Sequence, residues 1–305
     1  IIIEKLDEPI MTNLTMVTGF LLMDFSNTWE LRVLYAMLFL LMYLVALVMN
    51  LLIFTLISLD EHLHSPMYFF LKNLSFLDLC FISTTLPKSI TNSLCHSHSI
   101  SFMGCVLQLF LVIFFAASEL SLLTIMSYDM ATASWLSEGL LGALYSGSTF
   151  TLPFCGSKEI YQFFCDVPSL LRLSCSDIHI LNVTLSIGIT LRILCFISIA
   201  ISYGHIFSTV LKIPTTEGQS KAFTTCLPHL IVFIVFITTG VIAYLKPHQE
   251  PYSVLDLSLS IVYTVVPPTL NPVIYSLRNN DIKTSLMKLI DGKHFSQGLI
   301  LRSFP

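Results

Sequence analysis

Seven stretches of this chain are long and apolar enough to cross a bilayer, and that recurrence limits the fold more than any other feature. A hydrocarbon core of about 30 Å takes roughly 20 mostly apolar residues in helical form. The stretches are Leu31 to Ile57, Pro66 to Ile90, Ser101 to about Ile125, about Ser134 to Leu152, Ile178 to Ile213, Ala222 to Leu245 and Val254 to Leu277. With 54% hydrophobic and only 11% charged residues over 305 positions, the chain is too apolar for a soluble globular protein. Backbone groups in lipid must be satisfied within their own segment, and the alternating pattern of a barrel strand is absent, so the predicted class is all-α. A net charge of -4 points to no nucleic-acid partner. The opening "IIIEKLDEPI" lacks a basic region followed by a longer apolar run, so the first span is expected to act as the targeting signal.

The third and fourth stretches meet within "LLTIMSYDMATASWLSEGLL", Leu122 to Leu141, which reads either as one long helix or as a hairpin. Charge decides between six spans and seven. The basic cluster Arg278, Lys283, Lys288, Lys293 and Arg302 belongs on the cytoplasmic side. The sequon Asn13-Leu14-Thr15 is used only on the lumenal side, which makes Asn13 the expected glycosylation site. An outside start and an inside end require an odd number of spans. Between Ile125 and Ser134 about eight residues remain, more than an antiparallel helix pair needs. The expected organisation is an extracellular segment over residues 1–30, a seven-helix bundle over 31–277 with a shortened junction between helices three and four, and a cytoplasmic tail over 278–305 with a short amphipathic helix.

Of eight cysteines, Cys155, Cys165 and Cys175 lie in the segment between spans four and five, extracellular in the seven-span reading, where disulfides persist. Cys105, at the outer start of span three, is the natural fourth partner. Four cysteines allow three pairings, and spacing does not choose among them. Cys80, Cys195 and Cys226 lie in apolar stretches and read as small buried hydrophobes.

Five stretches in register resemble the olfactory receptors, a family of rhodopsin-like G-protein-coupled receptors: "SPMYFFLKNLSFLDLC" (Ser65 to Cys80), "MSYD" (Met126 to Asp129), "SY" (Ser202, Tyr203), "KAFTTC" (Lys221 to Cys226) and "NPVIYSLRN" (Asn271 to Asn279). The resemblance implies disulfides joining Cys105 to Cys165 and Cys155 to Cys175. It also implies a pocket for small volatile odorants lined by Val112, Ile113, Ala116, Ala117, Ile187, Leu191, Ile237, Tyr244 and Thr264. Such a wall suits a small apolar ligand, since burial gains about 25 cal/mol per Å², with Tyr244 or Thr264 orienting it. Individually these residues also serve helix packing. On the inner face the resemblance implies coupling to the olfactory stimulatory G protein through Asp129, Tyr203, Lys221 and Tyr275. Residence in the plasma membrane, contact with lipid, and assembly with other receptors as a further partnership complete the expectation.

Ionisable residues within spans default to function. Asn50, Asp78, Glu119 and Asn271 are placed to converge as the family's polar network does, either around an ion or water or as a cluster that pins helix packing. Two bare carboxylates repel in low dielectric, so they would share a proton or a cation. Arg192, near the middle of span five, either pairs with Glu119 or points outward, and Glu138 in span four raises the same question.

Two departures from the family pattern bear on function. The relatives follow "MAYD" with Arg, Tyr and a long second cytoplasmic loop; here Met130 and Ala131 follow Asp129 and span four is already under way, with about two dozen residues missing. The lost arginine engages the G protein, so weak or absent activation is expected. In "YQFFCD", Gln162 stands where relatives often carry a metal-motif histidine, and glutamine is a poor ligand for copper or zinc. Neither a nucleophile with its base, nor a phosphate loop, nor a metalloprotease motif is present, so no enzymatic activity and no cofactor or metal is expected. The two halves lack the inverted correspondence of a transporter. The rival reading is a non-signalling protein from a damaged receptor gene, retained in the endoplasmic reticulum or modulating intact receptors.

Overall fold

The computed structural model describes residues 18–23, 28–63, 65–95, 98–125, 132–154, 158–175, 254–278 and 280–290, with scattered positions between 186 and 238. In chain order these form β1 (Gly19–Leu22), α1 (Trp29–Leu59), a single 3-10 turn (Glu61–Leu63), α2 (Pro66–Cys95), β2 (Ser99–Ser101), α3 (Phe102–Ile125), α4 (Thr132–Phe150), β3 (Glu159–Ile160), α5 (Val167–Arg172), α6 (Val254–Arg278) and α7 (Asn280–Ile290). Among the described residues, three helices within α1, α2 and α3 are long and apolar enough to cross a membrane. At 1.5 Å per residue the 31 residues of α1 reach about 46 Å, well past the hydrocarbon core.

The faces of α1 show what solvent the helix expects. Leu34, Met37, Leu41, Leu44, Val48 and Leu51 are exposed at heptad spacing, while Arg32 and Asn50 are buried. Apolar side chains outward and polar ones inward is the order a helix adopts against acyl chains. Inward, Phe39 and Ala46 of α1 pack with Ile82, Leu86 and Ile90 of α2 and Val265 of α6. Several helix hydroxyls are satisfied by their own backbone, as with Thr84 on the Cys80 carbonyl at 2.7 Å and Thr149 on that of Tyr145 at 2.7 Å.

Local chemistry fixes the boundaries. Pro66 opens α2, where its missing N–H costs nothing, and the Ser65 carbonyl takes the amides of Tyr68 and Phe69. Pro267, Pro268 and Pro272 interrupt the bonding of α6. Pro272 has no N–H to give the Pro268 carbonyl, and Asn50 of α1 supplies the missing donor at 2.9 Å.

At one end of the bundle a three-stranded sheet of order β2-β1-β3 covers the helices. β1 runs antiparallel to β2, Phe20 opposite Ile100, and parallel to β3, Leu22 opposite Ile160. Its Phe20 and Leu22 are buried against Leu109, Tyr145 and Leu170. A Cβ at Gly19 would stand 2.6 Å from the Ile100 carbonyl oxygen, so β1 and β2 approach this closely only because that residue is glycine. The all-helical expectation thus holds for the bundle, with a small sheet added outside it; strands of two to four residues carry no readable periodicity. At the opposite end α7 lays Ile282, Leu286 and Leu289 on Ile53, Leu56 and Leu63. Its Ser285 donates to Asp60 at 2.5 Å, and Tyr68 donates to Asp281 at 2.8 Å.

The junction between α3 and α4, with Asp129 in it, lies outside the described residues, as do Asn13, Cys155, Ile187, Leu191, Arg192, Lys221 and Tyr244. Tyr275 falls within α6, its side chain outside the description.

Candidate functional site

The loop from Ile160 to Asp166 is held down onto the sheet end of the bundle from several directions. Cys165 is joined to Cys105 near the start of α3, closing a separation of 60 residues. Cys165 N donates to Gln108 Oε1 at 3.0 Å, and Gln108 Nε2 donates to the Thr84 carbonyl at 2.9 Å, so the loop is tied through α3 to α2. Ser89 of α2 donates to the Phe163 carbonyl at 3.0 Å. The amide of Met23 reaches the carbonyls of Ile160 and Gln162 at 3.0 and 3.1 Å. Gln162 Nε2 donates to Ser260 Oγ of α6. At the end of the loop Asp166 caps α5, its carboxylate taking the Ser169 amide at 3.2 Å. Burial raises that carboxyl from 3.8 to about 6, against the opposing pull of its bonds to Ser169 and the nearby Arg172. Cys175 is disulfide-bonded as well.

Beneath the loop lies an apolar layer. Phe163 and Phe164 are fully buried with Phe81 of α2 and Val112 of α3, and Phe115, Ala116, Ile261 and Tyr263 pack around them. Phe163 stacks on Phe39 of α1 with centroids 5.9 Å apart, and Phe164 meets Tyr263 edge-on at 6.1 Å. Val112 and Ala116, expected in the pocket wall, belong to this layer. Ile113 turns instead toward the sheet-end cluster with Phe20 and Tyr145. Ala117 is buried, Ile237 packs by Leu120, Tyr203 and Phe233, and Thr264 directs its hydroxyl to the Ser260 carbonyl. Gln108, Ser89, Phe163 and Phe164 were not singled out in the sequence; the double aromatic beside a loop cysteine was the available signal.

Deeper in the bundle is a polar layer. Asn271 Nδ2 stands 3.0 and 3.2 Å from the two oxygens of Asp78 and 2.9 Å from Glu119 Oε1, joining α6 to α2 and α3. All three residues are at most 1% exposed. Asn50 contributes from one step away, donating to the Ala46 and Pro268 carbonyls rather than to the carboxylates. The buried oxygens Ser118 Oγ, Asn50 Oδ1 and Asn271 Oδ1 have no hydrogen-bond partner among the described residues. Buried oxygens of this kind are the sort that a water satisfies. Glu138, which the sequence left open, accepts the Ser121 hydroxyl at 2.7 Å and links α4 to α3.

The chain matches the family description "Olfactory receptor" over residues 39–139 and 146–293. Human Olfactory receptor 14A2 is 55% identical over 303 residues, covering 92% of this chain and 96% of that protein. Human Olfactory receptor 14A16 is 53% identical over 306 residues, covering 93% and 99%. Among solved structures, squid rhodopsin superposes with a TM-score of 0.57 at 13% identity over 87% of this chain and 86% of its own, a likeness of fold.

Proposed function

Because the chain belongs to the olfactory receptor family and shares the seven-helix fold of rhodopsin, we propose that it binds small hydrophobic volatile molecules under the Phe163 and Phe164 loop. As a receptor of this family it is a multi-pass plasma-membrane protein with a ligand and a G protein as partners, and it is not an enzyme. The observation that carries the ligand reading is the apolar layer of Phe81, Val112, Phe163 and Phe164, closed by a loop bonded to α2, α3 and α6. A largely apolar lining with few polar groups is what a small hydrophobic ligand requires. The sheet end faces outward in this reading, with α7 at the cytoplasmic side. A shared proton or a small cation neutralises Asp78 and Glu119 across Asn271, so the polar layer biases helix positions and does not contact the odorant.

Coupling to a stimulatory heterotrimeric G protein is impaired in this reading. Met130 follows Asp129 where the family carries arginine. The alignment with Olfactory receptor 14A2 extends over 303 residues while covering 92% of this 305-residue chain, so that relative carries residues with no counterpart here. This supports the shortened junction, and with it the second reading of a receptor that is retained in the endoplasmic reticulum or is silent. The test is an N-terminally tagged chain stained with and without permeabilisation, beside a version with an Arg-containing loop inserted after Asp129. Surface staining of both, with odorant-dependent cAMP in the repaired version, is expected. Intracellular staining of the unmodified chain, rescued by the insertion, would establish the second reading.

A further inference from the structure

We infer that Gln162 and Ser260 form a polar end to the ligand site, selecting apolar molecules that carry one hydrogen-bond-donating group, of which aliphatic alcohols are the simplest. The inference rests on the odorant-binding reading and names the ligand class for that site.

Gln162 is 5% exposed and Ser260 2%. A primary amide taken out of water needs partners for both of its ends. One end has them, since Nε2 donates to Ser260 Oγ. The other does not: Oε1 is buried and meets no donor among the described residues. The backbone that carries the amide is held in place. Its carbonyl holds the Met23 amide, the next residue's carbonyl holds Ser89, and Cys165 is fixed to Cys105. Gln162 directly precedes Phe163 and Phe164, and Ser260 directly precedes Ile261, so the amide sits at the margin of the apolar layer where the ligand is proposed to bind. A carbonyl oxygen only accepts. A ligand that offers an O–H or N–H satisfies it, and one that offers only acceptor oxygens leaves it unpaired at a cost that weakens binding. Position 162 thus reads hydrogen-bond donors by a neutral amide.

The test uses the full chain in nanodiscs and follows its thermal unfolding midpoint against increasing ligand concentration. The probes are straight-chain alcohols of four to ten carbons and their methyl ethers, which keep the apolar body and lack the donor. The expected result is a lower half-saturating concentration for an alcohol than for its ether, by about threefold to tenfold, the worth of one hydrogen bond. Gln162→Met should abolish that difference and leave the ether's shift in place, and Ser260→Ala, which frees Nε2, should reduce it. Each variant is judged on the ratio of alcohol to ether within the same protein, so a general loss of stability does not imitate the effect. Equal shifts by alcohol and ether in the unmodified chain would overturn this inference and leave the odorant reading standing. No shift by any probe would overturn both.

Discussion

At the scale of single residues, the buried polar groups bear the largest consequences. Asn271 separates two carboxylates that would otherwise face each other, so Asn271→Ala should lower stability by about 1 to 3 kcal/mol through loss of a buried donor. Adding Asp78→Asn to that variant should restore part of the loss, measured as thermal midpoints of the purified chain in one buffer. Asp166 gives a pH dependence of definite sign. Its carboxyl is raised from 3.8 to about 6 in the fold, so between those values the folded state holds a proton that the unfolded chain releases. The stability linked to it is present below about pH 4 and is lost as pH rises through 6. Asp166→Asn keeps an N-cap side chain and cannot titrate. The difference in thermal midpoint between the two proteins should therefore change between pH 4 and 7 and stay flat above it. At this scale the sequence was partly informative. Asp78, Glu119 and Asn271 stood out because charge inside an apolar span is costly, whereas Gln108 and Ser89 are ordinary helix residues until the loop is laid over them.

At the scale of elements, packing depends on what is absent as much as on what is present. Phe110 and Phe114 of α3 stack with centroids 6.0 Å apart, and α4 passes close to them at Gly142. A Cβ there would lie 3.4 Å from the Phe110 ring, an approach the ring can accommodate by a small shift. Gly142→Ala should fold nearly as the parent does. Gly142→Leu should lower surface expression and the thermal midpoint, by about 1 to 3 kcal/mol of overpacking. The helices themselves were legible in the sequence, because long apolar runs must be helical in lipid. The start of α2 at Pro66 and the end of α6 at Arg278 fall within a residue of where those runs begin and end. The strands were not legible. β1 exists because the segment before α1 folds back between β2 and β3, a placement that four residues cannot announce.

At the scale of the whole molecule, one covalent link ties the loop above the bundle to α3. The Cys105–Cys165 disulfide closes a loop whose 60-residue separation corresponds to about 4 kcal/mol of chain entropy. Cys165→Ser should therefore release the loop that carries Phe163 and Phe164. Hydrogen exchange across residues 158–175 should rise, and ligand-dependent stabilisation should fall with it, while the exchange of α7 at the far end stays unchanged. By itself the sequence determined the solvent, the helical class and the family register, because the cost of placing polar groups in lipid leaves few arrangements open. Only the tertiary structure decided which of those residues meet. It drew Asn271 between Asp78 and Glu119, turned Ile113 away from Val112, and gave the Pro268 carbonyl to Asn50. Those choices depend on helix rotation and on the loop pinned above the bundle, and a linear pattern of hydrophobicity carries neither.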